Sequence, residues 1–160
     1  MRTEWPRGAK RPAMVDAGAL TPEQRKLVEA AVRARNEAHA PYSGFAVGAA
    51  ALDADLRFHR GCNVENSSYG LTVCAERVAL FSAVADGAAE ITAIAVAGPG
   101  ARGRPTAPCG ACRQVIWDLA GDIPVLLATL DGRVEVWTAA ALLPAPFGPM
   151  DLMAANEESD

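Results

Sequence analysis

The sequence lacks a surplus of basic residues and lacks any apolar run long enough to cross a bilayer. Its formal net charge is −4 over 160 residues, whereas proteins that bind nucleic acid polymers usually carry a basic surplus. A membrane-spanning helix needs about 20 mostly apolar residues in succession, and no segment approaches that length. Because no apolar segment follows the basic residues of the N-terminus, we also predict no secretory signal. These absences exclude a membrane or a nucleic acid polymer as the expected partner.

Cysteine and histidine are scarce, at four and two residues. The chain is 51% hydrophobic, which supplies enough apolar material for a core without disulfides. A few thiols in such a chain are typical of a reducing cytosol, where clustered cysteines usually indicate metal binding or catalysis. We therefore expect a cytoplasmic protein with one compact domain. His39 and His59 are isolated in the sequence, and we interpret both as surface or packing residues.

The sequence predicts one folded domain between two irregular ends. Residues 1–20 mix basic residues, prolines and glycines without periodicity, which predicts a flexible N-terminal extension. Residues 21–152 hold the domain, and residues 153–160 form an acidic tail that we expect to fray. Thr21 and Gln24 can form a capping box around Pro22, which marks the start of the first helix.

Alternating helical and extended patterns predict an α/β fold. We predict helices over residues 21–40, 74–84 and 109–119, with Gly121 closing the third. We predict strands over residues 45–52, 58–63, 91–97, 125–130 and 134–137. Asp131-Gly132 joins the last two strands in a hairpin, residues 98–107 form a loop, and residues 142–147 form a short turn. Strands that interleave with helices indicate a sheet covered by helices.

Three cysteines lie at the starts of two predicted helices. Cys109 and Cys112 form a C-x-x-C pair, and Cys74 begins the preceding helix. Zinc prefers four ligands, and thiolates are among its best. Helix starts present free N–H groups and the positive end of the helix dipole, which favour the thiolate form. Three cysteines can hold one ion and leave its fourth position for water, which is typical of a hydrolytic zinc site.

A structural zinc site, closed by a fourth protein ligand, is the alternative. Cys62 is the residue that could close it. It stands alone between Gly61 and Asn63, however, and a single buried cysteine more often packs as a small apolar residue. We therefore favour a site with an open position.

The residues next to the cysteines are suited to hydrolysis. Glu76 lies two residues after Cys74, where its carboxylate can move protons to and from an acidified water; the alternative is a first-turn acid that complements the helix dipole. Zn²⁺ with three thiolates carries +2 − 3 = −1, so hydrogen bonds to the sulfurs help the metal act as an acid. Arg77 is our first candidate for such a donor. Arg113 is a second candidate, and a surface position explains it equally well.

Four blocks of residues resemble the cytidine deaminase family that acts on free nucleosides. The blocks cover residues 41–48, 61–69, 74–77 and 108–114, and the similarity extends from about residue 20 to about residue 152. Four ordered blocks are far more specific than a single C-x-x-C pair. Zinc deaminases of this kind use three cysteines and a glutamate that is not a ligand.

The resemblance implies a three-layer α/β/α fold around a five-stranded mixed sheet. It implies that Cys74, Cys109 and Cys112 hold zinc, and that Glu76 is the general acid and base. It also implies a homotetramer, because small members of the family place a C-terminal aromatic residue in a neighbouring subunit's site. Phe147 lies at the matching position.

The resemblance further implies a nucleoside pocket. In it Asn63 and Glu65 bind the ribose, Phe45 packs its ring against the pyrimidine, and Ala75 contributes to substrate binding. The ribose pair has an independent rationale, because residues two apart on an extended segment point the same way and an amide beside a carboxylate suits sugar hydroxyls. Without the resemblance, a solvated strand end explains this pair better.

We therefore predict zinc-dependent hydrolytic deamination of cytidine and 2′-deoxycytidine, which yields uridine or deoxyuridine and ammonia and serves pyrimidine salvage. Val73 and Ala107 depart from the family pattern, and they leave a deaminase of a modified or antibiotic cytosine nucleoside as an alternative. A non-catalytic, zinc-stabilised binding domain is the alternative from a different class. Glu76 argues against it, since a structural site has no use for that carboxylate.

Overall fold

The computed structural model describes residues 11–101, 103–148 and 151, which form one mixed sheet with helices on both faces. The strands are β1 (Met14–Asp16), β2 (Gly48–Asp53), β3 (Phe58–Cys62), β4 (Ile91–Ala97), β5 (Pro124–Ala128) and β6 (Arg133–Thr138). The helices are α1 (Pro22–Arg35), α2 (Ala75–Ala85), α3 (Gly110–Ala120) and α4 (Ala139–Leu142). None of the described helices is both long enough and apolar enough to cross a membrane.

The strand order places α3 in a crossover between the two central strands β4 and β5. The order is β1-β6-β5-β4-β2-β3; β4 and β5 pair in parallel, and the other neighbours pair antiparallel. A parallel pair needs a crossover connection, and α3 lies in the connection from β4 to β5. The loop after β4 therefore leads directly to Cys109 and the start of α3.

Alternate residues of the central strands face opposite helical layers. Ala49 of β2 packs in one core cluster with Leu80 of α2 and Ile116 of α3. The next residue, Ala50, packs in the other cluster with Leu27 of α1. This alternation is the period of two that a strand imposes. The predicted three-layer α/β/α architecture is confirmed, with α1 on one face and α2 and α3 on the other.

The sheet has six strands, where the sequence predicted five. The additional strand is β1, which pairs antiparallel with β6 and sets Val15 opposite Val134. Leu20 is also buried and packs in the core beside α1. Residues 14–20 thus belong to the folded unit, although the sequence predicted a flexible extension over residues 1–20. Residues 1–10 and the predicted tail at residues 153–160 lie outside the described residues.

Helix α1 begins as the sequence predicted and ends earlier. The Gln24 N–H donates to Thr21 Oγ1 at 3.2 Å, and the Thr21 N–H donates to Gln24 Oε1 at 3.1 Å. These two bonds complete the capping box. The helix ends at Arg35, whose Nε donates to the Ala46 carbonyl oxygen at 3.0 Å. That bond ties the end of α1 to the segment that leads into β2.

Two glycines let helices approach the sheet closely. A Cβ at Gly48 would lie 2.2 Å from the carbonyl oxygen of Ala31 in α1. A Cβ at Gly61 would lie 2.3 Å from the backbone nitrogen of Ala79 in α2. Both distances are far below the separation of about 3.5 Å at which heavy atoms attract. The contact at Gly61 fixes the position of α2, and with it the position of Cys74 at the start of that helix.

A buried histidine joins the other end of α2 to the β2–β3 hairpin. His59 Nδ1 lies 2.8 Å from Asp86 Oδ2, and its Nε2 lies 3.0 Å from Asp53 Oδ2. Arg57 Nε also donates to Asp53 Oδ2, at 2.8 Å. Burial opposes ionisation of Asp53, but hydrogen bonds from His59 and Arg57 outweigh it and lower the pKa of Asp53 to about 2. Because Asp86 follows the last residue of α2, this network lies at the opposite end of the helix from Cys74.

Candidate metal centre

Three sulfur atoms meet where α2 and α3 begin. Cys74 is the N-cap residue of α2, Cys109 is the N-cap residue of α3, and Cys112 lies in the first turn of α3. Their Sγ atoms all lie within 4.8 Å of one another. A zinc–sulfur bond measures about 2.3 Å, so one ion between atoms at this spacing can bind all three. The thiol donor set is one that zinc favours, and the residues therefore fit the predicted metal.

Cys62 lies apart from this cluster. Its Sγ donates a hydrogen bond to the Glu37 carbonyl oxygen at 3.2 Å. In the part of the chain that the structure describes, the group of ligand side chains consists of the three other cysteines. The alternative of a structural site closed by Cys62 is not supported. The cluster offers one ligand fewer than the four that zinc prefers.

Arg77 places a positive charge beside the sulfurs. Its Nη2 lies 3.8 Å from Cys74 Sγ and donates to the Thr72 carbonyl oxygen at 3.1 Å. The Cys112 thiol and then Arg77 stabilise the ionised sulfur, and they lower the pKa of Cys74 to about 5 despite burial. The hydrogen bond to Cys74 and burial raise the pKa of the Cys112 thiol. Cys74 therefore ionises before Cys112, and Arg77 makes the sulfur contact that the sequence led us to expect.

The hydrogen bonds of Arg113 go to backbone carbonyls and to no sulfur. Its Nε donates to the Pro108 carbonyl oxygen at 2.8 Å, and its Nη1 donates to the Leu142 carbonyl oxygen at 2.8 Å. The sequence left Arg113 either as a donor to a ligand sulfur or as a surface residue, and its two hydrogen bonds correspond to neither. The guanidinium instead joins the residue before Cys109 to the end of α4, and it thereby supports the start of α3.

Glu76 is a buried carboxyl group in the first turn of α2, with only 4% of its surface exposed. Burial raises the pKa of Glu76, and the charge of Cys74 acts in the same direction. Hydrogen bonds from its own backbone N–H and from the Cys112 thiol oppose that rise in pKa. The carboxyl group therefore lies beside ligand sulfurs. A buried carboxyl with a raised pKa can hold a proton and pass it on.

A cleft of about 390 Å³ lies beside the segment that leads to Cys74. It is lined by Tyr42, Ser43, Glu65, Tyr69 and Thr72. The Thr72 carbonyl also accepts the hydrogen bond from the Arg77 guanidinium described above, so Thr72 connects the lining of the cleft to the residue beside Cys74. The rings of Tyr42 and Tyr69 meet edge to face, with their centroids 6.1 Å apart. Of these five residues, Glu65 is the one that we predicted from the sequence as a site residue.

Asn63 fixes the loop that carries Phe45. The Val47 N–H donates to Asn63 Oδ1 at 2.8 Å, and Asn63 Nδ2 donates to the Phe45 carbonyl oxygen at 2.9 Å. The Phe45 side chain is 45% exposed. The structure thus brings two of the predicted pocket residues into contact and gives Asn63 a backbone-holding role that the sequence did not predict.

Glu65, which lies two residues after Asn63, binds the backbone of the same loop. Its Oε2 accepts hydrogen bonds from the Tyr42 N–H at 2.8 Å and the Ser43 N–H at 3.2 Å, and its Oε1 accepts from the Ser43 hydroxyl. The Ser43 hydroxyl and then the Tyr42 N–H lower the pKa of Glu65. Ser43 could have been found in the sequence, because a serine between Pro41 and Gly44 is typical of a turn in which the hydroxyl bonds the backbone.

Ala75 and Phe147 lie in different surroundings. Ala75 is the first residue of α2 and is fully buried, directly after Cys74. Phe147 is 57% exposed and lines a groove with Phe81 and Leu119 on the outer side of α2 and α3. Gln114 Nε2 donates to its carbonyl oxygen at 2.7 Å. Within one chain, Phe147 is therefore not among the residues that line the cleft.

Comparison with known proteins identifies relatives over most of the chain. The family model of the cytidine and deoxycytidylate deaminase zinc-binding region matches residues 21–126. Cytidine deaminase from Sporosarcina psychrophila is 48% identical over 134 residues, which are 83% of this chain and 97% of the relative.

Solved structures give the same result. The crystal structure of cytidine deaminase from Burkholderia pseudomallei matches with a TM-score of 0.72 and 52% identity, over 76% of this chain and 97% of the other. The crystal structure of cytidine deaminase from Mycobacterium tuberculosis matches with a TM-score of 0.67 and 39% identity, over 78% of this chain and 97% of the other.

Proposed function

Because the chain belongs to the cytidine and deoxycytidylate deaminase family, we propose that it is a zinc-dependent hydrolase of cytidine and 2′-deoxycytidine. Water adds at C4 of the pyrimidine, the exocyclic amino group leaves as ammonia, and uridine or 2′-deoxyuridine is the product. One observation carries the proposal: the thiols of Cys74, Cys109 and Cys112 are close enough together to hold one metal ion, beside the buried carboxyl group of Glu76. A closed structural site would gain nothing from such a carboxyl.

We assign the metal to the three sulfurs. When bound, zinc supplies the Lewis acidity that lowers the pKa of a water molecule towards about 7. The guanidinium of Arg77 lies beside Cys74, where it offsets part of the negative charge of three thiolates. Negative charge on the sulfurs would reduce the Lewis acidity of the bound zinc, and the positive charge of Arg77 limits that reduction.

Glu76 is assigned to proton transfer. Its carboxylate accepts a proton from the attacking water and delivers it to N3, where it stays in the product. It then accepts the proton of the new C4 hydroxyl and delivers it to the leaving nitrogen as the C4–N bond breaks and C4=O forms. Burial raises the pKa of Glu76, which favours the protonated form that the second half of the reaction needs. Each cycle consumes one water and releases one ammonia, so Glu76 returns to its starting state.

The cleft is assigned to the nucleoside. Asn63 and Glu65 bind the ribose, and Phe45 packs against the pyrimidine ring beside Ala75. The support is that Asn63 and Glu65 hold one loop, which also carries Phe45. A site built to pair with hydroxyls rejects an analogue that lacks them. Free cytosine is therefore a poor substrate.

We also assign the enzyme to the cytoplasm, to pyrimidine salvage and to a homotetrameric assembly. The thiol ligands support the location, because they need reducing conditions to remain free. The exposed apolar side chains of Phe81, Leu119 and Phe147 on the outer side of α2 and α3 support the assembly. The substrate is a small nucleoside, and neither a membrane nor a nucleic acid polymer is a partner.

An ultraviolet assay of the purified protein with cytidine, 2′-deoxycytidine and Glu76→Gln tests this proposal. The wild type is expected to convert both nucleosides and to release ammonia. Glu76→Gln is expected to lose at least about 10²-fold in kcat while it retains one zinc per chain, because Glu76 is not a ligand. Glu23→Gln is the matched control, since Glu23 is an exposed first-turn acid of α1. A zinc-loaded wild type that deaminates no cytosine nucleoside would instead indicate a binding domain.

A further inference from the structure

Ser43 connects the two residues of the proposed ribose site. Its hydroxyl donates to Glu65 Oε1 and accepts from the Phe45 N–H at 2.9 Å. The carbonyl of the same Phe45 accepts from Asn63 Nδ2. Gly44, between Ser43 and Phe45, has φ of 66°, a left-handed conformation that glycine adopts readily. The turn at Gly44 brings the Phe45 N–H back to the Ser43 side chain.

The acceptor positions of Glu65 determine how much of it is left for a substrate. A carboxylate offers about four lone pairs, two on each oxygen. Oε2 is used twice, by the N–H groups of Tyr42 and Ser43. Oε1 is used once, by the Ser43 hydroxyl. Glu65 therefore keeps one acceptor position, and it is on the oxygen that the Ser43 hydroxyl holds.

We propose that Ser43 is a positioning residue for nucleoside binding: its hydroxyl fixes the rotation of the Glu65 carboxylate and thereby the direction of the one remaining acceptor position. This inference rests on the proposed function, since it requires a sugar hydroxyl at Glu65. Ser43 lines the same cleft. It acts through Glu65, because its hydroxyl proton is already engaged.

The charge distribution around the loop agrees with this role. The hydrogen bond from Ser43 is the largest of the effects that lower the pKa of Glu65. His39 is the other titratable group that acts on Glu65, and its carbonyl oxygen accepts the Glu65 N–H at 2.8 Å. Tyr42 and Tyr69 line the cleft around it. Without the Ser43 hydroxyl, the carboxylate keeps two backbone donors on Oε2 and loses the donor that holds Oε1.

Steady-state kinetics of Ser43→Ala across pH test the inference. We expect KM for cytidine to rise about tenfold and kcat to change by less than about twofold, because the cysteines and Glu76 are untouched. The pKa of Glu65 moves up towards its ordinary value in this variant, so KM is expected to begin its rise with falling pH at a higher pH than in wild type. Ser43→Thr retains the hydroxyl and is expected to restore both KM and its pH dependence.

The controls separate this role from a general loss of structure. Ser82→Ala on α2 is the matched control, since the Ser82 hydroxyl makes no side-chain hydrogen bond within the described residues. A Ser43→Ala enzyme with wild-type KM and pH profile overturns the inference and leaves the proposed function intact. Equal losses in Ser43→Ala and Ser43→Thr, with a lowered melting temperature in both, overturn it as well. A wild type without deaminase activity removes both the proposed function and the inference.

Discussion

At the scale of single residues, the first turn of α2 carries neighbouring side chains with opposite charges and separate tasks. Arg77 directs its Nη2 at Cys74 Sγ, whereas Glu76 is buried near the Cys112 thiol. Successive helical residues are rotated by about 100°, so the two side chains leave the helix in different directions. Arg77 thus contacts the sulfur of Cys74, and Glu76 is left for the proton transfer that we propose.

Arg77→Ala is expected to shift the acidic limb of the pH–rate profile to higher pH. The guanidinium helps to keep the pKa of Cys74 low, and without it protons compete with the metal at a higher pH. We expect metal affinity to fall about tenfold to a hundredfold. Measurement of kcat/KM and of zinc content across pH checks this, with Arg77→Lys as the charge-preserving control. An unchanged profile and unchanged zinc content in Arg77→Ala would remove Arg77 from the mechanism.

At the scale of elements, α2 is anchored at both ends by different chemistry. Its start holds Cys74 and is packed against β3 at Gly61. Its far end is held by Asp86, whose carboxylate pairs with the buried ring of His59. Because α2 is held at both ends, the position of the β2–β3 hairpin determines where Cys74 lies.

His59→Leu is expected to lower the melting temperature by several degrees. The leucine leaves Asp53 buried without its histidine partner, and it frees the end of α2. The pH dependence carries a definite sign, because the pKa of Asp53 is lowered from 3.8 to about 2. Its stabilising effect is fully present above 3.8 and is lost as the pH falls through about 2.

Thermal unfolding of wild type and His59→Leu at several pH values checks this prediction. As the pH falls through the acidic range, the melting temperature of the wild type is expected to fall more than that of the variant. The reason is that the pKa of Asp53 is lowered less when His59 is absent. His39→Leu is the matched control, since His39 is exposed. Parallel stability curves for wild type and His59→Leu would contradict the assigned network.

The sequence allowed most elements of the fold to be predicted, and the exceptions have physical reasons. The three long helices and five strands carry periodic patterns that local spacing makes visible. β1 has three residues, too few for alternation to appear, and its pairing with β6 depends on contacts far along the chain.

The candidate site divides in the same way. Cys74, Glu76 and Arg77 lie close together at the start of one helix, so the sequence alone indicated that they are neighbours. The partner of Arg113 at Leu142 lies 29 residues away, and that of Glu65 at Ser43 lies 22 residues away. No local pattern identifies such pairs, which is why the loop-holding roles emerged only from the structure.

At the scale of the whole molecule, exposed apolar side chains gather on the outer side of α2 and α3. Phe81, Leu119 and Phe147 surround one groove there. A contiguous apolar patch of this kind is typical of an interaction surface. We propose that the homo-oligomer uses this face, which would cover the patch, and that Phe147 of one chain then contributes to the site of the next.

Phe147→Ala is expected to lower kcat/KM for cytidine about tenfold without unfolding the chain. The substitution keeps the hydrogen bond from Gln114, because that bond goes to the carbonyl oxygen. Light scattering and steady-state kinetics on the purified variant measure assembly and activity separately. Unchanged kinetics would show that the aromatic ring has no part in any site.

Mixed oligomers of Phe147→Ala and Glu76→Gln show whether the ring acts between chains. A Glu76→Gln chain offers an intact Phe147 to its neighbour, and a Phe147→Ala chain offers an intact Glu76. Co-expressed chains are therefore expected to exceed the summed activities of the two separate variants. No gain in the mixture would place any effect of Phe147 within its own chain.

The sulfur ligands come from two helices that β4 separates along the chain. An ion that joins Cys74 to Cys109 and Cys112 closes a long segment of backbone, much as a covalent crosslink does, and so restricts the unfolded ensemble. Catalysis and resistance to unfolding then depend on the same three bonds. A lineage that abandoned the reaction would still be under selection to keep the cysteines, whereas Glu76 would be free to drift.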